Sequence, residues 1–239
     1  MVNLQAAFIA VRKRRFTTGI ILPFLLACIG FSTPAPARAD EPATITFSLD
    51  FPNSAPEHYM ISVQSDGHAR YESSGKISAD SVDRQHYETE FSFSDATRSR
   101  IFEFAAQAKY FSGKIDSGNR KLAFTGNKKL SYKDGQRSAA GEYNYSSVSA
   151  VQQLTSLFQN VSATLEFGRR LSYFHRYQKL ALDDELKHME DRARRGELAE
   201  LQAVRPVLQE IYEDNSVIKV VRARALRIMD LTSATTAGR

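Results

Sequence analysis

Apolar and polar residues alternate along much of the chain between residues 43 and 93. Residues 43–51 carry Ile45, Phe47 and Leu49 at odd positions and polar side chains at even positions, which predicts a half-buried β-strand. The same alternation returns in residues 59–63, 69–71 and 87–93. We therefore expect four strands, each with one apolar face.

The loop between the second and third of these strands follows from the requirement that apolar side chains face each other. A three-residue loop at residues 65–67, with a left-handed glycine, sets Val63 beside Ala69 and Ile61 beside Tyr71. A two-residue loop would set the same side chains beside charged ones. The three-residue loop is therefore predicted.

A helix follows the fourth strand. Ser94 is its expected N-cap, and Ile101, Phe104, Ala105 and Ala108 recur at helical spacing as its buried stripe.

Alternation then resumes beyond residue 113. Leu122 and Phe124 share the parity of Leu130, and Asp134-Gly135 as a two-residue turn would pair Leu130 with Ala139. The predicted order is four strands, a helix, three strands and a helix. A turn and a bulge at residues 126–127 both remain open.

Residues 147–182 form the longest helical pattern in the chain. The apolar arc changes direction midway by roughly 150°, with Leu154 and Phe158 in the first arc and Leu171 and Phe174 in the second. Either one helix contacts two different bodies, or the helix breaks near Gly168.

Three more helices are expected after it. We predict that Asp183 caps the first, which Gly196 ends, and that Pro206 kinks the second at residues 197–214. Asn215 or Ser216 caps the last, with Val217, Val221, Ala225 and Ile228 on one face.

These elements predict an α+β fold, in which an antiparallel β-sheet is packed by helices and followed by a C-terminal helical extension. The expected divisions are a sheet domain at residues 40–165, a helical region at 166–232 and a frayed tail at 233–239.

Residues 1–39 have the composition of a secretory signal peptide. A basic run at residues 12–15 precedes an apolar segment, and residues 37–39 offer a cleavage site after Ala39. The apolar segment is shorter than the roughly 20 residues that span a membrane. An uncleaved anchor and a lipoprotein box ending at Cys28 are the alternatives. We expect a chain exported to the periplasm or secreted, with lipoprotein anchoring left open.

The signal also contains all of the net positive charge. The chain has 32 basic and 27 acidic residues; five basic residues and no acidic one lie in residues 1–39, which leaves 27 of each beyond them. A nucleic-acid partner is not expected, because such proteins present a basic surface. Cys28, the single cysteine, also lies in the signal, so no disulfide is expected in the folded part.

No motif calls for a particular chemistry. The chain lacks a catalytic serine elbow, a phosphate-binding glycine loop and a zinc-ligand spacing. Glu185 and His188 are spaced as in di-iron bundles, but those require a second such motif. Acidic residues 183–185 suit the first turn of a helix electrostatically. No catalytic, cofactor-binding or metal-ligating residue is assigned, and no cofactor is expected.

Residues 169–179 mix basic and aromatic side chains, as do surfaces that bind anionic polymers or lipids. On a helix, Tyr173, Phe174 and Tyr177 share one arc, and the basic residues, Arg169 among them, lie opposite or at its border. This arrangement favours an amphipathic helix that packs on a neighbour, with a ligand or membrane face as the alternative.

Three stretches, at residues 121–135, 157–171 and 176–190, resemble a group of exported bacterial proteins without a known activity. The resemblance covers most of the chain beyond the signal. It implies export, and it implies no activity, cofactor or site residue.

The function expected is that of a non-enzymatic binding or scaffolding module in the cell envelope, with another envelope protein as partner. Direct membrane contact is not expected unless Cys28 is lipidated or the signal stays uncleaved. One alternative is an exported hydrolase with a non-standard site built from His58, His86 and Glu88. The other is peripheral membrane association through residues 169–179.

Overall fold

The computed structural model describes residues 41–77 and 84–237, with side chains described as far as residue 231. The expected export signal, its Cys28 and the cleavage site after Ala39 lie outside the described residues. No described helix is long and apolar enough to cross a membrane.

Six antiparallel strands form one sheet in the spatial order β4-β3-β2-β1-β5-β6. Alternate residues of the central strands are buried because helices cover one face of the sheet and leave the other open. The α+β prediction is confirmed. The strands are β1 (Thr44–Asp50), β2 (His58–Gln64), β3 (His68–Gly75), β4 (Gln85–Ser92), β5 (Asn127–Lys133) and β6 (Ser138–Tyr143).

The β2–β3 hairpin has the predicted register. Val63 pairs with Ala69 and Ile61 with Tyr71. Gly67 has a φ of 97°, a left-handed conformation that glycine adopts without the steric penalty of a side chain. The three-residue loop is confirmed.

The β5–β6 hairpin differs from the prediction. Leu130 pairs with Gly141 instead of Ala139. Gly135 and Gln136 form the turn, since the Asp134 carboxylate accepts the backbone N–H groups of Gln136 and Arg137 at 2.7 and 2.5 Å. A slip of two residues keeps every side chain on its face, so the facing requirement could not exclude it.

Of the three strands predicted after the first helix, the one around residues 122–124 is absent from the described residues. Leu122 and Phe124 lie in a loop, 40% and 59% exposed. Gly126, with a φ of 97°, turns the chain toward β5 and lies so close to β1 that an added Cβ would be 2.6 Å from Leu49 Cδ1. The alternation around residue 122 therefore belongs to a loop.

Within the described residues, five α-helices accompany the sheet. The Ser94 side chain accepts the Thr97 N–H at the start of the first, which confirms the predicted cap. The buried stripe of Ile101, Phe104 and Ala105 is also confirmed. The helices are α1 (Asp95–Gln107), α2 (Ser149–Tyr177), α3 (Leu182–Arg194), α4 (Arg205–Glu213) and α5 (Lys219–Ala237).

Helix α2 runs unbroken for 29 residues and packs against both the sheet and the C-terminal helices. Its Phe158 ring stacks on Phe47 of β1, with centroids 5.3 Å apart. Gly168 does not break the helix. It admits Val204, whose Cγ1 would lie 2.5 Å from an added Cβ. The buried side chains of the sheet and of the C-terminal helices form one cluster.

The predicted starts of the C-terminal helices are wrong. Helix α5 begins at Lys219, so neither Asn215 nor Ser216 is its N-cap. Asp183 lies in the first turn of α3, and the N-cap is Ala181. Pro206 lies in the first turn of α4, where a missing N–H breaks no helical bond, so it starts a helix rather than kinking one. The stripe of Val217, Val221, Ala225 and Ile228 is buried as predicted.

Candidate functional site

A buried ion pair lies between α2 and the sheet. The side chains of Glu166 and Arg169 are 6% and 4% exposed, and Oε2 of Glu166 lies 3.4 Å from Nη1 of Arg169. Their spacing places both side chains on the helix face that packs on β3. Buried charges need a partner and further hydrogen bonds, so the groups around the pair decide what it can do.

Hydroxyl groups surround the carboxylate end of the pair. The hydroxyls of Tyr71 and Ser73, both on β3, donate to Glu166 Oε1 at 2.9 and 2.6 Å. The Ser162 hydroxyl on α2 lies 3.0 Å from that of Tyr71. Burial, and after it the Glu166 charge, raises the pKa of Tyr71 well above its usual value. Tyr71 therefore stays a neutral donor.

Backbone carbonyls surround the guanidinium end. Arg169 Nη2 donates to the carbonyl oxygens of Gly75 and Gln85 at 3.4 and 3.2 Å. Its Cζ lies 5.5 Å from the centre of the Tyr87 ring, within the range of a cation–π contact. These contacts join α2 to β3 and β4. The pair and its partners position the helix on the sheet.

A cleft of about 260 Å³ opens beside this network, between residues 51–57 and α2. Ser162 and Glu166 reach its lining, and Arg170 and Arg192 stand at its rim. Each rim arginine is already paired, Arg170 with Glu185 at 2.7 Å and Arg192 with Glu197 at 3.2 Å. Glu166 is likewise paired, with Arg169, so every charged group in the lining already has a partner outside it and we assign no reaction to the cleft.

A second cluster joins the end of α2 to the segment before α5. Asp214 Oδ2 lies 2.6 Å from Lys179 Nζ and 2.9 Å from His175 Nε2. Its Oδ1 accepts the N–H and hydroxyl of Ser216 at 2.8 and 2.6 Å. The bond from Lys179, followed by those from Ser216 and His175, holds the pKa of Asp214 well below its usual range. The two segments are thus fixed side by side.

The two segments joined by this cluster carry four exposed apolar residues, which we call the helical-end patch. Tyr177 ends α2 and Leu180 follows it, and they are 65% and 93% exposed; Ile218 and Val220 lie at the start of α5 and are 59% and 52% exposed. Large exposed apolar patches on soluble proteins mark interaction surfaces more often than chance. The helical-end patch is the candidate functional surface of the described chain.

The residues of the predicted hydrolase site are not brought together. His58 on β2 and His86 on β4 both pair with Ser74 of β3, the strand between them. Two strand spacings, or roughly 9–10 Å, therefore separate the two histidines. His58 Nδ1 lies 2.6 Å from Asp50, and His86 Nε2 lies 4.0 Å from Glu88. The cleft beside α2 includes none of these three residues in its lining, and neither does a second cleft formed by residues of β1, β5 and β6.

Two of the three acidic residues at the start of α3 are engaged in ion pairs, and the third, Asp184, is exposed. Glu185 binds Arg170, and Asp183 Oδ1 lies 2.5 Å from Arg224 Nη1. His188 is exposed. Within residues 41–77 and 84–237, no group of three or more His, Cys, Asp or Glu side chains could hold a metal ion.

The packing predicted for residues 169–179 is only partly right. Phe174 is buried, as expected. Tyr177 is exposed, because α2 ends there and no neighbouring element covers it. Arg169, predicted opposite the apolar arc or at its border, is buried against the sheet.

A scan against models of known protein families finds no match, and a search of curated proteins finds none either.

Sequence reasoning missed the Glu166–Arg169 pair because charged residues on a helix usually face solvent. One signal was present. Residues 161–165 hold only apolar, small or hydroxyl side chains, which is the composition of a helix covered on more than one side. A charged pair directly after such a stretch is a candidate for burial.

Proposed function

We propose that the chain is an exported envelope protein that acts as a non-enzymatic binding or scaffolding module for a protein partner. The observation that carries this proposal is the helical-end patch. Export is supported by the signal-like residues 1–39 and by the resemblance to exported bacterial proteins.

The patch has the features of a preformed contact surface. The Asp214 cluster fixes the two segments that bear it, so little conformational freedom would be lost on binding. Leu180 extends from the short 3-10 helix Lys179–Ala181 with nearly its whole side chain in solvent. An aliphatic or aromatic side chain that enters a partner's pocket commonly dominates the free energy of association.

The two alternatives receive less support. A membrane-binding face at residues 169–179 would need its basic and aromatic side chains at the surface, but Arg169 and Phe174 are buried. A hydrolase site would need His58, His86 and Glu88 within hydrogen-bond reach of one another, and the sheet separates the two histidines.

Site-specific photo-crosslinking in cells tests the proposal. A photoreactive residue in place of Leu180 should give one defined adduct with a protein of the envelope, identified by mass spectrometry. Ile218→Asp in the same chain should abolish that adduct, because a buried carboxylate without a partner opposes association.

Leu122 supplies the matched control, since it is also an exposed apolar side chain but lies outside the helical-end patch. A photoreactive residue at position 122 should leave the chain without that adduct, and Leu122→Asp should leave the adduct at position 180 intact. Equal adducts from both positions, or none at 180, would contradict the proposal.

A further inference from the structure

The two edges of the sheet differ in how they are protected. The edge strand β4 presents the charged or polar side chains of His86, Glu88 and Glu90. Such side chains discourage the addition of another strand. The opposite edge strand, β6, runs Ser-Ala-Ala-Gly-Glu-Tyr and has small side chains over most of its length. Glu142 is its single charged side chain, so β6 is less protected than β4.

The hydrogen-bonded pairs of the β5–β6 hairpin show which backbone groups of β6 face away from β5. The Asp134 N–H donates to the Arg137 carbonyl at 2.9 Å. Bonded and non-bonded pairs alternate along an antiparallel ladder. Ala139 and Gly141 therefore bond to β5, while Ser138, Ala140 and Glu142 turn their N–H and C=O groups outward.

The open edge has a defined end. The next outward N–H, that of Asn144, donates to Asp116 Oδ2 at 3.2 Å. No other group of the described residues bonds to the outward backbone of Ser138, Ala140 or Glu142. The open stretch is thus residues 138–142, and it is symmetric about Ala140.

We propose that a second copy of this chain pairs with the open edge, β6 against β6, antiparallel about a two-fold axis at Ala140. Ala140 would then face Ala140 of the second copy, and Ser138 would face Glu142. All outward N–H and C=O groups of residues 138–142 on both copies find partners in this register. Each face of one sheet continues into the same face of the other, as an isologous contact requires.

The side chains suit this register. Ser138 and Ala140 place no bulky group against their opposites. Glu142 lies 3.5 Å from Lys129 of its own sheet. Across the axis, Glu142 faces the Ser138 hydroxyl of the second copy and, one strand further, its Lys133. Each Glu142 carboxylate therefore lies between two lysines, so the charges on the joined face are complementary.

Proline substitution at the two edges tests the pairing. Ala140→Pro removes an outward N–H from each copy but no bond within the monomer, because proline is tolerated where a strand's N–H points away from the sheet. Glu90→Pro is the matched control on β4. Sedimentation velocity over a concentration series should show that the wild type and Glu90→Pro dimerise. The dissociation constant of the Ala140→Pro dimer should be higher by about tenfold or more.

Cysteine cross-linking checks the register. In a Cys28→Ser background, Ala140→Cys should give a covalent dimer under mild oxidation, because directly opposite bonded residues lie about 5.5 Å apart, within disulfide reach. Glu90→Cys should give no covalent dimer, because position 90 lies on the opposite edge of the sheet. A monomeric wild type, an Ala140→Pro variant that dimerises as well as wild type, or no cross-link at position 140 would each overturn the proposal. The helical-end patch is on other elements, so the two proposals fail independently.

Discussion

At the scale of single residues, Lys128 illustrates how a charge can be buried without a carboxylate. Its Nζ donates to the carbonyl oxygens of Thr125, Gly126 and Asn144 at 3.0, 3.2 and 2.9 Å. Removal from water lowers its pKa. The sequence places Lys128 on the same parity as Leu130, so its inward direction could be predicted. The carbonyl cage could not, because it depends on a loop that was predicted as a strand.

Replacing Lys128 should destabilise the protein because the buried carbonyl groups would lose their donor. We expect Lys128→Met to lower the free energy of unfolding by about 1–3 kcal/mol. Lys129→Met, at an exposed neighbour on the other face, is the control and should have little effect. Urea unfolding followed by circular dichroism measures both. Equal stability of the two variants would show that the cage contributes nothing.

Glu190 gives a pH-dependent prediction. Hydrogen bonds, chiefly from Arg227, lower its pKa from 4.5 to about 2. A carboxylate with a depressed native pKa contributes stability that is fully present above its unfolded value of 4.5 and is lost as the pH falls toward 2. The midpoint of thermal unfolding should therefore drop between about pH 5 and about pH 3, and Glu190→Gln should weaken that dependence.

The matched control for Glu190 is Glu210→Gln on α4, where the side chain is exposed. Glu210→Gln should keep the pH dependence of the wild type. If Glu190→Gln and the wild type lose stability in parallel across that range, Glu190 is not the group responsible.

At the scale of elements, α2 was predicted in outline and missed in detail. Its two apolar arcs follow from residue spacing, and Phe158 and Phe174 are buried on the expected sides. Its continuity through Gly168 could not be predicted, because the glycine is explained only by the close approach of Val204. The burial of Glu166 likewise depends on hydroxyls contributed by β3, which lies about 90 residues earlier in the chain.

The Glu166–Arg169 pair predicts a non-additive mutant cycle. Glu166→Met leaves a buried guanidinium without its anion and should destabilise the protein by about 3–5 kcal/mol. The double variant Glu166→Met/Arg169→Met should lose less than the single one, because neither charge stays buried alone. Denaturant unfolding provides the free energies.

The exposed pair Arg195–Glu197 is the control for this cycle. Glu197→Gln should change stability little, since solvent screens exposed ion pairs. If the stability lost by the double variant equals the sum of the losses of Glu166→Met and Arg169→Met, the two charges do not depend on each other.

At the scale of the whole molecule, the chain order of strands and helices was predicted except for one extra strand before β5, and the spatial order of the strands could not be predicted. The alternation of β1 to β4 and the glycine loop at residues 65–67 specify local hairpins. The position of β5 beside β1 is a contact between distant segments, and nothing in their patterns excludes another neighbour. The helical-end patch is also a product of assembly, since its segments meet through bonds of Lys179 and His175 to Asp214 and of Lys179 to Ser216.

Cooperativity of unfolding tests the predicted boundary between residues 165 and 166, which lies inside α2. Leu154 packs toward the sheet and Phe174 toward the C-terminal helices, yet both belong to one buried cluster. We expect Leu154→Ala and Phe174→Ala each to lower the stability of a single transition by about 2–5 kcal/mol.

Far-ultraviolet circular dichroism reports the helices, and near-ultraviolet signals report the buried tyrosines of the sheet. Coincident curves would show that α2 couples the two parts. Separated curves, with Phe174→Ala shifting only the helical signal, would instead support two domains that share a helix.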